Sequence, residues 1–238
     1  MKTEILFPEV ANLCGDLMNV TYLRQCCPEM EVVETGLKGR PAFLDGGVDL
    51  VYVGSATERG LQLMVQALTP YKAELERYVD GGGLMLATGN ALDALGEYVV
   101  IDGKRAFDGL GILKTHAEYH MMKRHNSFLL GSFQDMEIVG FKSLFGHTYP
   151  DDELASPLFR VERGVGRHPG AFAEGFLRGG LMATYLIGPL LPLNPPFTRY
   201  LLEQMGAKDV KLAFEDTAMK AYRARVEEFR DEKRGYQY

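Results

Sequence analysis

The chain has 238 residues, 46% of them hydrophobic and 24% charged, with 27 glycines and a formal net charge of −6. That length suits one substantial core, and the composition excludes disordered and fibrous classes. The acidic balance, with no clustered Lys and Arg beyond a mixed Lys-Arg-Glu tail, argues against nucleic acid, and no apolar run approaches the roughly 18 residues that span a bilayer.

The amino terminus, MKTEILFPEV, meets a proline and an acid before any long apolar stretch, so it does not read as a signal peptide and a cytoplasmic location is expected. Residues 3–7 predict a strand, 16–26 a helix and 31–33 a second strand. Residues 48–53 (VDLVYV) predict a third strand, opening at Gly54 into a helix over 57–68. Pro70 restarts the helix through Val79, and Gly81, Gly82 and Gly83 end it before a strand over 84–88. Near-continuous apolar strands separated by helices imply a mostly parallel sheet with helices on both faces, an α/β fold.

The second half changes rhythm. Short strands are expected over 97–107 around an Asp102-Gly103 turn, then over 128–133, 137–141, 158–161 and 181–187, adding antiparallel pairing. From Asn194 the chain reads as helical, and Leu212, Met219, Tyr222, Val226 and Phe229 form one apolar stripe that predicts a helix packed on its own domain, with a partner-binding helix as the alternative. The expected organisation is a domain over 1–206 with a C-terminal helical extension of it over 207–238.

Three cysteines, Cys14, Cys26 and Cys27, have no zinc-site spacing and read as free structural thiols; no metal and no cofactor are expected. In an open parallel sheet ligands bind at the carboxyl ends of the strands, so the loops after Val53 and Thr88 matter most. A strand running into Thr88-Gly89-Asn90 and then a helix over 91–95 has the layout of a nucleophile elbow, which would lower a thiol pKa and aim backbone N–H groups at an oxyanion. Its apex, Gly89, has no side chain.

These residues resemble the class I glutamine amidotransferase domains of the cobyric-acid-synthase type, and especially the stand-alone glutaminase subunit of lipid II isoglutaminyl synthase. The family elbow Ala-Val-Cys-Gly-Gly-Tyr-Gln-Leu-Leu-Gly aligns without a gap on Ala87 to Gly96, placing Gly89 under the cysteine. The family motif Gly-Thr-Tyr-Leu-His-Gly-Pro-Leu-Leu-Pro-Lys-Asn-Pro aligns on Ala183 to Pro195 with ten of thirteen residues the same and Ile187 under the histidine. Cys14-Gly15-Asp16 and Asn19 match an opening Tyr-Gly-Asp … Asn segment. Gly140-Phe141 and Gly146-His147-Thr148 match a substrate-side loop, and Gly54-Ser55-Ala56-Thr57-Glu58-Arg59 stands for a Gly-Gly-Gly-Gln-Asp-Arg loop that helps form the oxyanion hole.

The resemblance implies a flavodoxin-like fold and a vestigial pocket of Gly54, Ser55, Thr88, Asn90, Asp93 and Tyr185. Glycine cannot form a thioester and isoleucine cannot move a proton, so a catalytically degenerate subunit is expected, a binding or regulatory partner of a Mur-ligase-like ATP-dependent protein. The alternatives are an active amidotransferase or hydrolase using other residues, or a small-molecule sensor in the old pocket. Of the substitute nucleophiles, Thr88 should point away from the apex, and Cys14 lies near the same sheet edge. His147 reads as a surface loop histidine, Asp93 and Glu58 as groups that could make the pocket acidic. Arg124 lies in a stretch comparable to the one from which family members hold a glutamine carboxylate, and the alignment there is loose.

Overall fold

Alternation along two buried strands sets the architecture. In β3 (Leu50–Val53) and β4 (Leu84–Thr88) every side chain except that of Leu84 is buried, because both faces of the sheet are covered. Leu50, Tyr52 and Leu86 face one apolar cluster, while Val51, Val53, Met85 and Ala87 face the other. The computed structural model describes residues 1–151 and 156–237.

β1 (Lys2–Leu6) and β2 (Glu31–Thr35) flank α1 (Met18–Cys26) in sequence, and β3 leads into α2 (Glu58–Leu68), then α3 (Lys72–Asp80) and β4. The Thr57 hydroxyl caps α2 by accepting from the Gly60 N–H at 3.0 Å. β4 is followed by the single turn α4 (Ala91–Ala94). Next come β5 (Tyr98–Ile101), β6 (Lys104–Asp108), β7 (Thr115–Tyr119), β8 (His125–Phe133), β9 (Met136–Leu144) and β10 (Gly146–Pro150). β11 (Phe159–Gly164), β12 (Ala173–Glu174), β13 (Phe176–Arg178) and β14 (Leu181–Thr184) precede α5 (Leu190–Leu193), α6 (Pro195–Gln204) and α7 (Glu215–Arg230).

The main sheet has the order β13-β14-β4-β3-β1-β2 and is parallel except for the β13–β14 pair. α2 and α3 cover one face with Leu61, Met64, Leu75 and Val79. α1 and α6 cover the other with Val20, Leu23, Phe197 and Leu201. Two four-stranded sheets, β10-β7-β5-β6 and β12-β11-β8-β9, make up the second half. The Asp102-Gly103 hairpin forms as expected, with both residues at positive φ (48° and 78°).

Several expectations change. The helix expected to begin at residue 16 begins at Met18, which leaves Asp16 in the buried turn before it. The strand expected over 181–187 ends at Thr184 and pairs parallel with β4, so it belongs to the main sheet. Ile187 makes only an isolated bridge to Phe141. β7 and β10 were not foreseen, because THAEY and GHTYP carry no apolar run; their pairing with each other and with β5 fixes them as strands. Leu212 lies outside α7 and in the main cluster, since the left-handed Phe214 (φ 53°) breaks the chain direction before the helix. Met219, Tyr222, Val226 and Phe229 form the face of α7 that packs on Leu130 and Val139.

Candidate functional site

The carboxyl ends of β1, β3, β4 and β14 meet at one edge of the main sheet. Gly89 follows β4 at φ +60°, a left-handed conformation that glycine takes with little cost. A Cβ built there would lie well inside the 3.0 Å limit from the Ser55 Cβ, 3.1 Å from the Ser55 Oγ and 3.2 Å from the Ile187 Cγ2. Two neighbours thus close the place where an apex side chain would start. The helix behind the apex is one turn long, so it contributes little of the macrodipole expected of an elbow.

The backbone donors of the neighbouring loop are also engaged. The Ser55 N–H donates to Asp16 Oδ2 at 2.9 Å, and the Ser55 hydroxyl donates to the Leu13 carbonyl at 3.0 Å. The Ala56 N–H donates to Asn90 Oδ1 at 2.9 Å, and Asn90 Nδ2 donates back to the Ala56 carbonyl at 2.8 Å. Asn90 therefore clamps the elbow to the β3 loop with two bonds. Two N–H groups of the loop expected to help an oxyanion are bonded within the protein instead.

Beneath the elbow runs a buried polar network. Thr88 Oγ1 donates to Asp16 Oδ2 at 2.9 Å and lies 2.8 Å from the Tyr52 hydroxyl. Asn19 Nδ2 donates to Tyr52 Oη and to the Asp16 carbonyl, each at 3.0 Å, while Asn19 Oδ1 accepts from the Leu191 N–H at 2.8 Å. Burial pushes the Asp16 carboxyl above the usual range, opposed by the bonds from Ser55 and Thr88. Sequence reasoning did not single out Asp16, Asn19 or Tyr52 as members of a network. The signal for the first two was present in the Tyr-Gly-Asp … Asn resemblance; Tyr52 was hidden inside an apolar strand.

A second network holds Asp93. Tyr119 donates to its Oδ2 at 2.5 Å, and Thr148 and Tyr185 donate to its Oδ1 at 2.5 and 2.6 Å. Burial raises the Asp93 pKa to about 6, with the three hydroxyl bonds working in the opposite direction. Further along, the buried Lys142 ammonium donates to Glu174 Oε2 at 2.8 Å and to the Gly166 carbonyl at 2.6 Å. Glu174 Oε1 accepts from Thr184 Oγ1 and from the Tyr185 N–H, each at 2.7 Å, so this ion pair anchors the segment leading to Ile187.

Above these networks lies a cavity of about 330 Å³, walled by Ser55, Asn90 and Tyr185 among the expected pocket residues, together with Gly89, Ile187, Cys14, Glu58 and Arg124. Gly54, Thr88 and Asp93 do not line it. Thr88 is spent in the network below, and Asp93 sits under Tyr119 and Tyr185. The cavity wall carries Glu58 together with Arg124 of opposite sign and lacks Asp93, so the acidic pocket expected of Asp93 and Glu58 does not form. Arg124 donates to Ser143 Oγ at 3.2 Å and lies 4.6 Å over the Phe145 ring. Cys14 is exposed at φ 59°; burial of its thiol first, then Asp16, push its pKa up, and Arg124 works against them, so it lacks the electropositive setting of a reactive thiolate. His147 is buried on β10, with its ring centroid 4.3 Å from that of His125, which corrects the surface reading. Among the described residues no group of three or more His, Cys, Asp or Glu could hold a metal ion, and no helix is long and apolar enough to cross a membrane.

No protein-family model matches the chain. The chain is 30% identical over 198 residues to the lipid II isoglutaminyl synthase (glutamine-hydrolyzing) subunit GatD of Staphylococcus aureus (strain N315), covering 81% of this chain and 79% of that protein. It is 23% identical over 224 residues to the protein of the same name from Streptococcus pneumoniae (strain ATCC BAA-255 / R6), covering 89% and 84%. Two glutamine amidotransferase crystal structures share the fold. One aligns with a TM-score of 0.56 at 15% identity over 86% of this chain and 99% of its own. The other, from Thermotoga maritima, aligns with a TM-score of 0.53 at 10% identity over 98% and 91%.

Proposed function

Because this chain belongs to the family of GatD-like glutamine amidotransferase subunits, we propose that it is a catalytically degenerate member that works by binding. The observation that carries this reading is the place of Ser55, whose Cβ stands where a side chain on Gly89 would begin. Ser55 and Ile187 together occupy the space around the apex, so the loss of the cysteine is accompanied by closure of its site. The engagement of the Ser55 and Ala56 N–H groups by Asp16 and Asn90 supports the same conclusion. An oxyanion would have to break these bonds to be stabilised.

The relatives are named as subunits, and the partner we assign here is a Mur-ligase-like ATP-dependent protein, whose activity or assembly this subunit would regulate. A cytoplasmic location follows from such a partner. The test is glutamate release from glutamine by the purified protein, alone and with the co-purified ligase. Absence of turnover together with a stoichiometric Mur-ligase-like partner supports the proposal; turnover abolished by Cys14→Ala would overturn it.

A second reading, a small-molecule sensor, is favoured by one observation: the cavity above the elbow keeps about 330 Å³ of space with Arg124 and Glu58 in its wall. A shift in thermal unfolding temperature with free amino acids, lost in Arg124→Gln, would support it.

A further inference from the structure

A cavity of about 460 Å³ lies between α7, the β8–β9 hairpin and the last residues of the chain. Its size is within the range of small-molecule sites. Phe128, Val139, Phe141, Leu193 and Phe229 give it apolar walls, and the Phe128 and Phe229 rings stack with their centroids 4.1 Å apart. The end of the chain is fastened beside them. Arg163 on β11 donates from Nη1 to the carbonyls of Phe229 and Asp231 at 2.6 and 2.7 Å, and from Nη2 to the Arg234 carbonyl at 3.0 Å. The Phe128 N–H donates to the Tyr236 carbonyl at 3.1 Å, so Arg234 and Gly235 are held as one side of the cavity.

The charges in this wall do not balance. Among the described residues that line it, the charged side chains are Arg225, Glu228 and Arg234. Glu228 Oε2 accepts from Arg225 at 2.7 Å and Oε1 accepts from Arg234, so one carboxylate faces two guanidiniums with both of its oxygens engaged. Each arginine gives Glu228 one of its several N–H donors, which leaves donors for a further acceptor. Arg225 also lies 5.5 Å over the Phe229 ring, and Arg163 lies 5.8 Å over the Phe128 ring. Asp231, the next acid along the chain, turns its Oδ1 onto the Lys233 N–H at 3.0 Å. Three guanidiniums therefore gather round the stacked rings with a single carboxylate between two of them. A cation would meet this excess of like charge, and a neutral apolar molecule would leave it uncompensated.

We propose that this cavity binds an amphipathic anion, a small molecule with an apolar body and one carboxylate or phosphate head. The body lies against Val139, Leu193 and Phe229, and the head lies on Arg225 and Arg234. Gly188 also lines the cavity, and the Ile187 N–H donates to the Phe141 carbonyl at 2.9 Å. A ligand here bridges the end of the chain to the pairing that seats Ile187 beside Gly89, and it steadies both. The site is separate from the elbow cavity, with which it shares no lining residue. The inference stands whichever reading of the elbow is right.

The test is titration of the intact protein with octanoate, octyl phosphate and 1-octanol, followed by NMR of methyl- and ring-labelled protein. At least one anion should bind about tenfold or more tightly than the alcohol, with nuclear Overhauser contacts from the octyl chain to Val139, Leu193 and Phe229. The anion that binds more tightly identifies the head group. Arg225→Gln combined with Arg234→Gln should weaken anion binding about tenfold or more and leave 1-octanol binding unchanged, a split that loss of packing alone would not produce. Amide exchange at Gly188 and over residues 234–237 should slow when the tighter anion is bound. The proposal is overturned by an alcohol that binds as tightly as both anions, by octyl contacts that avoid Val139 and Leu193, by anion affinity unchanged in the double variant, or by exchange at those amides that the anion does not slow. The comparison of anions with alcohol in wild type decides the question even where the double variant fails to fold.

Discussion

Ser55 stands where a side chain on Gly89 would have to begin, and the Ser55 hydroxyl is tied to the Leu13 carbonyl at 3.0 Å, so the obstruction is held in position. Ser55 in the loop after β3 and Gly89 in the turn after β4 are thereby parts of one local arrangement.

That relationship predicts how the elbow responds to reconstruction. Gly89→Cys should destabilise the protein by about 1–3 kcal/mol through overpacking and unfavourable φ, and should release no glutamate. Adding Ser55→Gly should recover most of the loss, because it removes the nearest obstructing atoms. Thermal denaturation of the single and double variants checks this; Gly89→Cys as stable as wild type would show that the loop yields freely.

Cys14 should behave as an unactivated thiol. Its pKa is raised by burial and by Asp16, so its alkylation at neutral pH should be slower than that of a free cysteine of ordinary pKa, and Cys14→Ala should leave stability within about 0.5 kcal/mol. The rate of modification as a function of pH measures it.

Asp93 and His147 should oppose each other in acid. The folded pKa of Asp93 is raised to about 6, so its contribution is full below the unfolded value near 4 and is lost as pH rises through about 6, a change of about 3 kcal/mol. The folded pKa of His147 is lowered to about 4, so its contribution is full above the unfolded value near 6.5 and is lost as pH falls through about 4. Relative to wild type, Asp93→Asn should gain stability as pH rises from about 4 to 6, and His147→Gln should gain as pH falls over that range. Denaturant midpoints across that window test both signs.

Removing one partner of the buried pair should cost far more than removing both. Lys142→Met leaves Glu174 charged and unpaired in the interior, a loss of about 3–5 kcal/mol, whereas Lys142→Met with Glu174→Gln should recover a large share. A double-mutant cycle in chemical denaturation gives the coupling directly.

The parallel sheet and the strand-turn-helix layout at Gly89 were legible in the sequence. Apolar runs of strand length specify a sheet buried on both faces, and Gly89 directly follows one of them while Ile187 lies three residues beyond the end of another. The strands β7 and β10 were not legible, because THAEY and GHTYP gain their burial only from partners distant in sequence. The site residues divide on the same physical ground. The motif could name Thr88 and Asp93, but not that their oxygens are spent below the cavity on Asp16, Tyr52, Tyr119 and Tyr185. Nor could it reveal that Ser55 fills the apex space or that His147 is buried against His125. Local pattern determined the parallel strands of the main sheet and the glycine at the turn after β4. Which atoms face the cavity, and which backbone donors remain free, depends on contacts between loops 30 or more residues apart, and only the tertiary structure decided them.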